Sequence, residues 1–174
     1  MVEPNVAVHD QLKKLKTYSK CTILNDMQSL SPVPNETVSF VSMIHVLDHL
    51  TDPLSRLNEI REKMTFASRV LIVTHDESSL LRKVLNNRWP AFCLQHPQLY
   101  NKATMAAMLE KSGFKVIKQL ATKNEFPISF LIKQTLWALG IRLEKVPNFF
   151  GLTISLPLGN ILTLAEPMSV LHDE

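Results

Sequence analysis

The chain has 174 residues, 45% apolar and 20% charged, an ordinary globular composition that excludes a disordered chain. A net charge of +3, from 19 basic against 16 acidic residues, leaves no electrostatic footprint for nucleic acid. Two cysteines, Cys21 and Cys93, cannot build a disulfide framework and lack metal-type spacing, so free thiols, a reducing cytoplasmic setting and no metal site are expected.

No basic-then-apolar leader opens the chain, and no uncharged apolar run reaches about 18 residues, so no transmembrane segment is expected. Short apolar runs alternate with amphipathic helical patterns, which predicts an α/β fold with a parallel sheet. Met1–Pro4 reads as the tail of a strand. Asn5 suits a helix N-cap, and Val8, Leu12 and Leu15 then share one apolar stripe. Lys13, Lys14, Lys16 and Lys20 form its solvated face. Cys21–Leu24 is a short strand ending at Asn25-Asp26, and Ser31–Glu36 is a proline-containing loop. The nearly continuous apolar run Val38–Val46 predicts a parallel strand buried on both faces. Asp52-Pro53 supplies an N-cap and a first-turn proline for a helix that buries Leu54, Leu57, Ile60 and Met64. Val70–Val73 is the next strand and completes a βαβ unit.

A helix from Ser78 or Ser79 carries Leu80, Leu81, Val84 and Leu85, and Arg88–Asn101 is an irregular loop. Asn101 caps a further helix with Met105, Met108 and Leu109 facing inward and Gly113 as its left-handed stop. Val116–Leu120 reads as a strand, Ile128–Ile141 as a strongly apolar helix, and Asn160–Ala165 as a final strand. Residues 1–167 are expected to form one domain and residues 168–174 a frayed tail.

The run His45-Val46-Leu47-Asp48-His49-Leu50-Thr51-Asp52-Pro53 resembles a motif of the class I S-adenosyl-L-methionine (SAM) dependent methyltransferases. There a buried strand leads into Leu-Glu-His-Leu and, after a short gap, Asp-Pro. The order of the later segments is similar too: the strand Arg69–Val73, then Arg88-Trp89-Pro90, Gln95-His96-Pro97, a helix closing on Gly113-Phe114, and two last strands. The resemblance implies a Rossmann-like sheet ending in an antiparallel hairpin, SAM as cofactor, and methyl transfer to a small or lipid-like acceptor. The chain departs from the pattern in three places. The first strand and its glycine-rich loop have no counterpart, since the first glycine is Gly113. Ser39 stands where many relatives carry an acid, and Met64–Ser68 replaces the usual Pro-Gly-Gly turn. The chain therefore reads as a methyltransferase domain truncated before its second strand. An exposed sheet edge would result, open to a second copy or a complementing chain. The alternative is a non-catalytic module that docks a protein partner through its apolar helix.

By this resemblance Glu3 would grip the two ribose hydroxyls of SAM, as a carboxylate can; read alone it is an exposed terminal glutamate. Asp26 would accept from the adenine amine while Met27 covers the ring, or Asp26 makes a local turn. Met43 and His45 would lie beside the methionine part, with His49 near them in a structural hydrogen bond. Trp89, Phe92, His96 and Tyr100 would wall the acceptor, with His96 as general base. Otherwise Trp89 and Tyr100 plug the core and His96 satisfies a backbone group. Phe126 would touch the acceptor and leads into Phe130, Leu131, Ile132, Leu136, Trp137 and Leu139. That helix is a lid, an interfacial helix, a dimer face or, most simply, a buried helix.

Overall fold

A computed structural model describes residues 1–3, 5–17, 21–25, 29–138 and 151–168. Its centre is a four-stranded sheet in the order β1-β2-β4-β3, formed by β1 (Val38–Ile44), β2 (Met64–His75), β3 (Phe114–Pro127) and β4 (Thr153–Pro167). β1 and β2 run parallel, joined by α2 (Pro53–Lys63) as the βαβ unit expected. β4 is antiparallel to both β2 and β3, the closing hairpin expected. Both strands of the hairpin outrun their sequence signals, because β3 and β4 pair from Phe114↔Pro167 to Pro127↔Thr153.

Local chemistry sets the helix starts. Asp52 caps α2 by accepting from Ser55 N–H at 3.1 Å, with Pro53 in the first turn. Asn101 and Thr104 form a reciprocal capping box on α4 (Lys102–Lys111). Gly113 then ends the helix at φ +74°. Leu57, Ile60, Met105, Leu109 and Phe114 meet Met43, Val70, Ile72 and Ile161 in one continuous core.

Several expectations give way. β1 is not buried on both faces: only Met43 is fully buried, and Phe40 and Ile44 are 56% and 59% exposed. The reason is position, since β1 is an edge strand of the described sheet with β2 on one side alone. The Met64–Ser68 segment is no turn; it forms the start of β2 directly after α2. Leu54 is exposed rather than buried. Val8, Leu12 and Leu15 bury nothing fully, because the helix stops after α1 (His9–Lys14). Asn5 does cap the preceding 3-10 turn, accepting from Ala7 N–H at 3.2 Å. Cys21–Leu24 contributes one parallel bridge, Val2↔Leu24, instead of a strand. α3 (Leu80–Leu85) starts at the Ser79 cap as expected, but Leu80 and Val84 point outward. α5 (Ile128–Ala138) is only half-buried at Ile128, Leu131, Ile132 and Leu136, and Phe130 is exposed. The remainder of the expected Ile128–Ile141 helix lies outside the described residues. No described helix is long and apolar enough to cross a membrane.

Candidate functional site

The carboxyl ends of the two parallel strands, β1 and β2, carry His45 and His75. That is where open α/β sheets bind ligands, because the connections leave a crevice there. His45 holds its N–H on Val73 O at 2.9 Å but turns to φ +51°. A non-glycine residue there costs on the order of 1 kcal/mol. The kink drives the chain into the 3-10 turn Leu47–His49 and buries Leu47 and Asp48 completely.

Asp48 is therefore a carboxylate with no exposed surface, and among the described residues neither of its oxygens has a hydrogen-bond partner. Oδ2 lies 3.7 Å from His45 Nδ1 and 3.8 Å from His75 Nε2. Both are beyond hydrogen-bond range. His75 Nδ1 lies 3.0 Å from Asn160 Oδ1 on β4. An amide oxygen only accepts, so the His75 proton sits on Nδ1 and the Nε2 lone pair faces Asp48. The same argument sets His96, whose Nδ1 lies 2.9 Å from Ala91 O, and His49, whose Nδ1 lies 2.8 Å from Gln95 O. Each presents a basic Nε2.

The four rings form a chain: His45 to His75 at 4.7 Å, His75 to His96 at 4.9 Å, and His96 to His49 at 4.5 Å between centroids. Trp89 lies edge-on to His75 at 6.0 Å and to Phe92 at 5.4 Å. The Arg82 guanidinium lies over the Phe92 ring at 4.6 Å. Cys93 Sγ lies 3.4 Å from His96 Nδ1. Burial lowers the His75 pKa, opposed by Asn160, with His45 and His96 lowering it further and Asp48 raising it. Burial, and then the Asp48 charge, push the Tyr100 phenol up to about 12. The Tyr100 hydroxyl has no hydrogen-bond partner among the described residues.

Of the residues singled out from sequence, the structure brings Met43, His45, His49, Trp89, His96 and Tyr100 to this end of the sheet. Trp89 and Tyr100 are deeply buried there, and His49 and His96 each hold a backbone carbonyl. Glu3 sits on the Val2–Leu24 ladder. One of its carboxylate oxygens accepts from Asn5 N–H at 2.8 Å. Phe126 is placed near the far end of the long hairpin, stacked on Phe130 at 5.9 Å. Asp26 and Met27 lie outside the described residues. Sequence reasoning missed His75 and Asn160 and gave Asp48 no role. The signal for His75 was its place at the carboxyl end of a strand parallel to the one ending at His45.

A family model described as a methyltransferase domain matches residues 1–119. A comparison with curated proteins finds no match. Among solved structures, the YcgJ protein of Bacillus subtilis aligns with TM-score 0.58 at 17% identity, covering 97% of this chain and 81% of that one. A SAM-dependent methyltransferase of Archaeoglobus fulgidus aligns at 0.56 and 18% identity, covering 95% and 74%. Another from Thermotoga maritima aligns at 0.58 and 14% identity, covering 95% and 72%. At such identities the likeness concerns the fold.

Proposed function

The chain belongs to the methyltransferase-domain family, and from that premise we propose that it transfers a methyl group from SAM to a small or lipid-like acceptor bound at the His45–His75 end of the sheet. The observation that carries this reading is that the ends of both parallel strands bring His45 and His75 together at 4.7 Å, with His96 beside His75 and Trp89 against it.

The residues present fit the cofactor. The Asn5 bond uses one of about four lone-pair positions on the Glu3 carboxylate, which leaves acceptor capacity for ribose hydroxyls. His45, at the end of β1, would flank the methionine part, with Met43 buried beneath it. SAM, when bound, supplies a methyl group on a positively charged sulfur, open to attack by a lone pair. The chain then has two tasks: to align the acceptor and to keep water out. Trp89 and Phe92 offer apolar walls for an acceptor. His96 presents Nε2 as the base for an acceptor that must lose a proton, its Nδ1 proton being held by Ala91 O.

The test is calorimetric titration with SAM and with S-adenosylhomocysteine, using Glu3→Ala as the control. Saturable binding that Glu3→Ala weakens supports the reading. A folded chain that binds neither molecule sinks it. A second reading, a module completed by another chain, is favoured by the bare edge of β1.

A further inference from the structure

We propose that His45, Asp48 and His75 form a binding site for one divalent transition-metal ion of the zinc type, at the same end of the sheet as the proposed acceptor site.

Three ligating atoms, His45 Nδ1, an Asp48 oxygen and His75 Nε2, lie within 4.8 Å of one another. Two imidazoles and one carboxylate are the donor set that suits zinc and its first-row neighbours rather than magnesium or calcium. The burial demands a cation. Asp48 is wholly desolvated, and no N–H or O–H of the described residues reaches either of its oxygens. A buried carboxylate is tolerated when paired or metal-bound. A protonated His75 does not meet that demand here: its Nδ1–H donates to Asn160 Oδ1, and Nε2 at 3.8 Å is too far to hydrogen-bond Asp48. His45 Nδ1 is likewise buried and unpartnered.

The surroundings are those of a metal ligand set. The Asn160 contact locks the His75 tautomer that presents Nε2, the usual outer-shell arrangement at metal-bound imidazole. A tetrahedral ion with bonds near 2.1 Å sets its ligands about 3.4 Å apart. The Asp48–His separations of 3.7 and 3.8 Å therefore need small inward movements, and the His45–His75 pair, whose ligating atoms lie within 4.8 Å, closes by up to about 1.4 Å. Three protein ligands leave a fourth position open, as at catalytic rather than structural zinc sites. His96, its ring 4.9 Å from that of His75 and tilted against it, stands beside the site.

The test is to strip the chain with EDTA and titrate it with Zn2+ by calorimetry and with Co2+ by visible absorption. One ion per chain is expected, with the d–d bands of a four-coordinate nitrogen and oxygen site. Asp48→Asn and His75→Ala should each abolish saturable binding. Asn160→Ala touches no ion and should weaken binding roughly tenfold by freeing the ring. Cys93→Ser should leave affinity unchanged. Circular dichroism checks that each variant is folded; should Asp48→Asn not fold, His75→Ala, with a partly exposed ring, reads the same site. The proposal is overturned if the wild-type chain shows no saturable binding, if binding survives His75→Ala, or if Cys93→Ser removes it.

Discussion

Asn160 sits directly opposite His75 in the antiparallel ladder of β2 and β4 and accepts its Nδ1 proton at 3.0 Å. This cross-strand pair links the hairpin to the site: β4 fixes how a ring on β2 presents its lone pair. In the metal-free chain, Asn160→Ala should release the ring into a mixture of tautomers. Long-range 1H–15N spectra of the imidazoles read this as growth of the Nε2–H form of His75. The lost bond should cost about 1 kcal/mol of stability. A His75 tautomer unchanged in the variant would mean that Asn160 does not set it.

Tyr100 gives a prediction with a pH window. Its hydroxyl is buried without a partner among the described residues, and its phenol is pushed up from 10.0 to about 12, through burial first and the Asp48 charge second. Above pH about 10 the unfolded chain releases this proton while the folded chain retains it. The unfolded state then binds fewer protons, so this group's contribution to stability is intact below pH 10 and falls as pH rises toward 12. Urea midpoints across that range should show the loss, and Tyr100→Phe should flatten it. At neutral pH the same variant should be as stable as wild type, or up to about 1 kcal/mol more stable, since it removes an unsatisfied polar group. A large destabilisation by Tyr100→Phe would show that the hydroxyl has a partner after all.

Gly113 should resist substitution. Its φ is +74°, and a Cβ there would stand 2.6 Å from Arg61 Nε and 2.8 Å from Arg61 Cδ. Arg61 cannot yield freely, because Nε donates to Gly113 O at 3.0 Å and Nη2 to Met168 O at 2.8 Å. Gly113→Ala combines left-handed strain of about 1–2 kcal/mol with the loss of that clasp between α2 and the end of β4. Thermal unfolding should show a drop of several degrees for a domain this size. Arg61→Ala in the same background should make the two losses less than additive, because they share one contact.

What was legible in the sequence was local. Asp52-Pro53 and Asn101 announced α2 and α4 through capping chemistry that needs only neighbouring residues. The apolar run Val38–Val46 placed β1, which ends two residues earlier at Ile44. What could not be read was decided by partners far along the chain. Val38–Val46 has the apolar content of a central strand, yet β1 is an edge strand, because burial depends on which strands flank it. Leu80 and Val84 keep helical spacing, but nothing in that spacing says whether an element will cover them. The grouping of residues 45, 48, 75 and 160 needed the β1-β2-β4 order, which joins positions more than a hundred residues apart.

The free edge of β1 yields the last prediction. His45 N–H bonds Val73 O, and parallel ladders direct alternate residues to opposite sides. Met43 and Val41 therefore face β2 with their amides, whereas Phe40, Ser42 and Ile44 direct theirs away from it. With Phe40 and Ile44 also exposed by more than half, this edge combines open backbone groups with apolar cover, the conditions for strand addition. Self-association through β1 should appear as a sedimentation coefficient that rises with protein concentration. Ser42→Pro removes one outward amide and leaves the β2 ladder intact, a place where an edge strand accepts proline. It should therefore suppress association while the fold, read by circular dichroism, persists. Met43→Pro, one residue on, breaks the inner ladder and buries its ring in the core, so it should unfold the domain. A wild-type chain that stays monomeric at every concentration, or a Ser42→Pro chain that associates equally well, would place the contact elsewhere than β1.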